Sequence, residues 1–245
     1  MQNQQQMKKG LIITDNEYLL KEFIRISEQL VPANWNFSFG CSTKDLADKF
    51  DFLKTVDLKK ESIEISKSYD LIFSLHCKQL FPPELVKNVR CINIHPGYNP
   101  YNRGWFPQVF SILNKLPAGA TIHEIDEEID HGKIIVQQEV EVFPWDTSKD
   151  VYDRVLKIEM DLLQENFQRI LDGSYNPVTP EQEGNLNLKK DFNQLRELDI
   201  EEKISVAELI DRMRALTHEP YSNLFFIDKV TGKKVFIKIH LQPED

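Results

Sequence analysis

A chain of 245 residues, 41% hydrophobic and 28% charged, can bury a substantial core as one domain or as one domain with a small appendage, and its composition excludes a disordered or collagen-like polymer. The formal net charge of −9 argues against a phosphate-backbone binder, so nucleic acid is not an expected partner. Three cysteines, Cys41, Cys77 and Cys91, show no CxxC spacing, no apolar run reaches membrane-spanning length, and the polar start has no signal region; a cytoplasmic protein with reduced thiols and no membrane partner is expected.

Leu11-Ile12-Ile13-Thr14 suits a buried parallel strand, and Asp15-Asn16-Glu17 then opens a helical pattern carried by Leu19, Leu20, Phe23 and Ile24. The turn lacks G-x-G-x-x-G, so nicotinamide or flavin binding of the usual kind is not expected. A strand near Asn36-Phe37-Ser38-Phe39 is closed by Gly40, a charged helix is predicted over 43–56, and Leu71-Ile72-Phe73-Ser74-Leu75 is a strong buried strand. The β-like run Asn88-Val89-Arg90-Cys91-Ile92 leads into Asn93, and a short helix over 108–113 ends before Pro117 and Gly119. Two strands, 120–123 and 133–137, flank an acidic loop over 125–130. A capping box from Thr147 to Asp150 starts a long helix with Tyr152, Val155, Leu156, Leu163, Phe167 and Ile170 on its apolar side, stopped near Gly173. Residues 177–198 read as a surface crossing, 206–216 as a helix, and 224–227 with 234–239 as a hairpin joined through Thr231-Gly232. Strands alternating with helices imply an α/β fold with a mostly parallel sheet, residues 1–183 forming the main domain and 184–245 a small C-terminal helix plus β-hairpin appendage. The one low-complexity tract is Gln4-Gln5-Gln6.

Chemistry concentrates in the segment running from Asn93 through Trp105. Alternation along an extended Asn93-Ile94-His95 puts the amide and the imidazole on one side, at the carboxyl end of a strand, where open α/β sheets bind ligands. Together they have the groups to act as a general base and an oxyanion donor; a buried histidine satisfied by backbone is the plain alternative. Asp130, in Asp130-His131-Gly132, can orient His95, although by itself it reads as a turn aspartate. The six histidines form no H-x-x-x-H or H-E-x-x-H arrangement, so no metal is expected. Ser74 and Ser111 lie in no nucleophile elbow, and Cys77 has no local signature of a reactive thiol. Among Lys78, Arg103, Lys189 and Lys190, Arg103 stands out as an anion ligand, and Tyr101, Trp105 and Tyr221 can stack on a ring.

The ordered blocks Asn93-Ile94-His95-Pro96-Gly97, Asn102-Arg103-Gly104, Gly119-Ala120-Thr121-Ile122-His123 and Ile129-Asp130-His131-Gly132 resemble the formyltransferases that use 10-formyltetrahydrofolate. The resemblance is good over 71–173 and implies a Rossmann-like formyltransferase fold with Asn93, His95 and Asp130 as the catalytic set. Tyr98-Asn99-Pro100-Tyr101-Asn102-Arg103-Gly104-Trp105 and the tail block from Met213 through Tyr221 look most like the sugar N-formyltransferases acting on dTDP-linked amino-deoxy sugars. The tRNA enzymes usually carry Ser-Leu-Leu-Pro after the histidine and a large C-terminal barrel, and the glycinamide ribonucleotide enzymes are generally shorter.

The resemblance implies that the amine of a nucleotide-linked 3- or 4-amino-dideoxyhexose attacks the formyl carbon of 10-formyltetrahydrofolate directly, with no metal. The pterin is then expected against Cys77, Leu80 and Phe81 and against Ile125, Asp126 and Glu127. Asn16 and Lys78 are placed as diphosphate ligands, Tyr221 as a thymine-stacking ring, and Tyr98, Asn99, Tyr101, Arg103 and Trp105 as further substrate contacts. A homodimer is expected, and the product class is that of O-antigen and lipopolysaccharide sugars. The rival readings are the same chemistry on another amine, such as glycinamide ribonucleotide, and a folate or nucleotide-sugar binding protein without turnover.

Overall fold

The computed structural model describes residues 6–244; Gln4 and Gln5 of the glutamine tract lie outside the described residues. The chain begins with β1 (Lys8–Thr14), α1 (Glu17–Leu30), β2 (Trp35–Cys41), α2 (Lys44–Ala47), β3 (Leu53–Thr55), α3 (Leu58–Ser68) and β4 (Leu71–Leu75). It continues through α4 (Pro83–Val86), β5 (Arg90–His95), β6 (Arg103–Gly104), α5 (Pro107–Asn114), β7 (Ala118–Glu124), β8 (Ile134–Val140) and α6 (Ser148–Asp172). The last elements are β9 (Leu186–Asn187), α7 (Lys189–Leu195), α8 (Val206–Leu216), β10 (Thr217–His218), β11 (Tyr221–Ser222), β12 (Leu224–Ile227) and β13 (Lys234–Ile237).

Seven strands form one sheet in the order β3-β2-β1-β4-β5-β7-β8. The pairs from β3 through β5 are parallel and β5 meets β7 antiparallel, so the architecture is the expected mostly parallel, Rossmann-like α/β fold with C-terminal helices and small hairpins. No described helix is long and apolar enough to cross a membrane.

The chain forms two compact units. Of the described residues, the first holds those up to His95 together with Thr121–Gln137 and Ile158–Glu181. Strand alternation explains its two core layers. On one face Leu11, Ile13, Ile72 and Cys91 pack with Leu58, Ile65, Leu85 and Val89. On the other, Phe73 stacks on Phe167 at 6.2 Å between ring centres, and Phe23 meets both. Phe23, Phe73 and Phe167 are fully buried, each contributing about 2–3 kcal/mol by leaving water. Asn16 starts α1 by accepting from the N–H groups of Tyr18 and Leu19, and Asp57 does the same for α3.

The second unit holds Pro96–Ala120, Gln138–Lys157 and the described residues from Gln182 onward. The expected capping box is present, with Thr147 N–H and Oγ–H both donating to Asp150. A second one, Ser205 with Glu208, opens α8. β12 and β13 pair antiparallel as the expected hairpin, closed by Asp228, which accepts from Thr231 N–H and whose own N–H reaches Lys233 O.

Three segments depart from the sequence expectation. Residues 43–56 are not one helix: the four-residue α2 is followed by i→i+3 turns at Lys49, Phe50 and Leu53, and β3 then joins the sheet edge beside β2. Burial of Leu53 with Leu20, Cys41 and Leu46 outweighs helical continuation of a charged stretch. The 57–68 region, unassigned in the sequence reading, is α3, which covers the sheet with Leu58 and Ile65. The surface crossing 177–198 contains β9 and α7, ordered because Phe192 is buried against Phe106 at 4.2 Å between ring centres.

Candidate active site

The site begins at the carboxyl ends of β4 and β5, which pair in register with Leu75 opposite Ile94. On the other side, the antiparallel β5–β7 pair sets Asn93 opposite His123 and His95 opposite Thr121. Directly opposed residues share a face, so β7 brings a second imidazole to Asn93.

Asn93 Nδ2 donates to Asp130 Oδ1 at 2.9 Å and lies 3.2 Å from His123 Nε2. His123 Nδ1 is 2.7 Å from the backbone oxygen of Glu124, so Nδ1 carries the proton and Nε2 accepts from the amide. His95 Nδ1 stands 3.5 Å from Asp130 Oδ2. The side chains of His95, His123 and Asp130 are 4%, 1% and 16% exposed, which lowers the local dielectric around the carboxylate and leaves it a narrow opening to solvent.

Asp130 reaches this position through a tight turn. Its backbone is left-handed, with φ of 48°, a conformation that aspartate tolerates better than most residues. Two residues on, a Cβ at Gly132 would sit 1.8 Å from Glu124 O, so only glycine lets the turn press back against the end of β7. A carboxylate held between an amide and an imidazole can fix the imidazole and support a proton on it, as acyl transfer requires.

Residues 52–167 match the family described as Formyl transferase, and residues 191–243 match the N-formyltransferase dimerization C-terminal domain. The dTDP-4-amino-4,6-dideoxyglucose formyltransferase of Mycobacterium tuberculosis is 52% identical over 188 residues, 77% of this chain and 80% of that protein. The chain belongs to the formyltransferase family. Its structure is similar to that of a 4-N formyltransferase from Francisella tularensis, with a TM-score of 0.92 and 44% identity over 98% of this chain and 100% of the other. It is also similar to a formyltransferase from Anoxybacillus kamchatkensis solved with UDP-4,6-dideoxy-4-formamido-L-AltNAc and tetrahydrofolate, at a TM-score of 0.59 and 26% identity over 76% of this chain and 88% of the other.

In this formyltransferase Cys77, Phe81 and Ile125 all border the apolar cluster of Leu11, Ile72, Leu85 and Cys91, which brings the two expected pterin segments together. Leu80 is 72% exposed. Asp126 accepts from Glu128 N–H and lies 2.8 Å from His131 Nδ1, and Glu127 pairs with Lys87. Burial pushes the Cys77 thiol up to about 11, so it packs as a neutral group.

Asp15, treated in the sequence only as a helix opener, ties three strand ends together. It follows β1 and accepts from Ser42 N–H at 2.7 Å and Oγ–H at 2.5 Å after β2, and from Lys78 N–H at 2.9 Å after β4. The available signal was an acid at the carboxyl end of the first strand. Asn16 beside it is engaged as the α1 cap, and the Lys78 side chain is exposed.

Within the second unit, buried Arg103 bonds Glu183 at 2.5 Å. Its neighbour Asn102 is fully buried, and its carbonyl oxygen accepts from Asn114, Asn185 and Asn187. Tyr101 OH accepts from Gln182 at 3.0 Å, Lys189 sits over the Trp105 ring at 5.3 Å, Asn99 is buried and Tyr98 is half-buried. Tyr221 is 63% exposed, with its ring 6.1 Å from that of His218.

Proposed function

We propose that this formyltransferase moves a formyl group from 10-formyltetrahydrofolate to the amine of a dTDP-linked 4-amino-dideoxyhexose. The observation that carries it is the Asn93–Asp130–His95 constellation at the carboxyl ends of β4 and β5. The sugar and its amine position follow the Mycobacterium and Francisella relatives. The folate follows the sequence blocks around the three residues and the tetrahydrofolate held by the Anoxybacillus relative.

The amine nitrogen attacks the formyl carbon, forming a C–N bond and a tetrahedral oxyanion; the bond to N10 of the folate then breaks, and tetrahydrofolate leaves with a proton. His95 accepts the amine proton, and Asp130, at its Nδ1, supports the imidazolium while that proton is carried to the leaving nitrogen. The Asn93 N–H that meets Asp130 is shared with the oxyanion, a donor worth about 3 kcal/mol in such sites. The pterin rests against Cys77, Leu80, Phe81 and residues 125–127, and the donor set calls for no metal. Lys78, with Asn16, faces the diphosphate, Tyr221 the thymine, and Tyr98, Asn99, Tyr101, Arg103 and Trp105 the rest of the nucleotide sugar.

Residues 184–245 serve as the appendage through which two copies of the chain associate. Exposed Val230, Val235 and Phe236 on the β12–β13 hairpin, at 93%, 39% and 50%, supply apolar surface for it.

The test is an assay with 10-formyltetrahydrofolate and a panel of dTDP- and UDP-linked 3- and 4-amino sugars, read by product mass. One formyl gained on a dTDP-4-amino sugar, and lost in Asn93→Ala and His95→Ala, supports the assignment. Transfer to glycinamide ribonucleotide instead, or folate binding without transfer to any amine, overturns it.

A further inference from the structure

One histidine–carboxylate pair in the first unit takes no part in the chemistry above. β4 ends at Leu75, and the next residue, His76, has a left-handed backbone with φ of 54°. A side chain with a Cβ pays for that conformation, and the contacts around it help to hold it. His76 Nε2 lies 2.8 Å and 3.0 Å from the two carboxylate oxygens of Glu159, which projects from α6 and is 0% exposed. One ring nitrogen shared between both oxygens is the geometry of an N–H donating to a carboxylate. A carboxylate buried this completely is costly, and a leucine would fill the same helix face without the desolvation penalty.

The segment directly after His76 is the one placed against the pterin. It is tied at two further points: Lys78 N–H reaches Asp15, and Gln79 donates to Val56 O at 2.7 Å while accepting from Leu58 N–H at 2.9 Å. Asp15 and Gln79 hold the middle of the loop. The His76–Glu159 contact holds its first residue, where the chain leaves the sheet and its direction is set.

We infer that His76 and Glu159 are a positioning pair that sets the course of the folate-binding loop, residues 77–81, with Glu159 acting only through His76. This rests on the folate assignment above. Glu159 touches neither reactant; it keeps the His76 backbone left-handed and so delivers Cys77, Leu80 and Phe81 to the cosubstrate.

Glu159→Leu tests it, because an apolar side chain in place of the buried carboxylate preserves packing. The expected result is a folded enzyme with a lower Tm, because His76 Nε2–H loses its acceptor, a KM for 10-formyltetrahydrofolate raised about tenfold and a KM for the amino sugar within about twofold of wild type. Glu159→Gln, which keeps an acceptor for His76 Nε2–H, restores most of the folate KM. His76→Asn tolerates the left-handed backbone but is too short to reach Glu159, and it repeats the folate defect even if Glu159→Leu does not fold. A folded Glu159→Leu or His76→Asn enzyme with the wild-type folate KM overturns the pair's role while leaving the folate assignment intact. Titration of the wild type with 5-formyltetrahydrofolate separates the two: no binding there overturns the folate assignment, and the pair's role with it.

Discussion

Asn93 and His123 face each other across the β5–β7 pair, and the amide nitrogen of the first lies 3.2 Å from Nε2 of the second. With Nδ1–H of His123 committed to Glu124 O, the ring presents an acceptor to Asn93 and fixes which way the amide points. The oxyanion donor is therefore aligned from behind by a residue that need not touch substrate.

His123→Leu is expected to lower kcat about tenfold with little change in either KM, the cost of one lost hydrogen bond behind the reacting group. His123→Gln, which retains an acceptor, should recover part of that loss. Steady-state kinetics on both substrates decide it; a Leu variant with wild-type kcat would show that Asn93 is aligned by Asp130 alone.

Cys77 is expected to resist alkylation at pH 8. Its pKa of about 11, raised by burial, leaves about 0.1% of the thiol ionised there, against about 10% for an ordinary cysteine with a pKa of 9.0. Iodoacetamide labelling followed by peptide mass spectrometry should show modification rising only toward pH 10 and above. Rapid labelling of Cys77 at pH 8 would contradict its placement beside the apolar cluster.

His218 gives a stability prediction with a definite sign. Burial, and then the Lys149 charge, lower its pKa below 6.5, so the unfolded chain binds a proton more readily than the folded one. Above pH 6.5 the residue is neutral in both states and contributes no pH dependence; as pH falls below 6.5 the folded state loses ground. In thermal unfolding from pH 7.5 to 5.5, His218→Gln should lose less Tm than wild type on acidification. An equal or steeper fall in the variant would rule out this source of acid sensitivity.

Phe73→Ala is expected to destabilise the chain by about 3–5 kcal/mol, since the ring is fully buried between Phe23 and Phe167 and its removal leaves a cavity. Urea unfolding measures it. A loss under about 1 kcal/mol would mean that the aromatic layer closes over the gap.

The features legible from the residues alone are local. The apolar run Leu71–Leu75 became β4, the Thr147–Asp150 cap and its apolar periodicity became α6, and alternation correctly turned Asn93 and His95 toward the same carboxylate. Each is legible because its cause spans a few residues: side-chain period, a cap, a glycine. The structure decided what depends on pairing between distant segments. Only the β5–β7 register set His123 behind Asn93, only the close approach at Gly132 aimed Asp130, and only packing of α6 on the sheet face brought Glu159 to His76. The 43–56 stretch departs from a helix for the same reason, since the burial that makes β3 a strand comes from β2 and α1, outside its own window. Periodicity reports which side of an element turns inward; it carries no information on which residue of another element waits there.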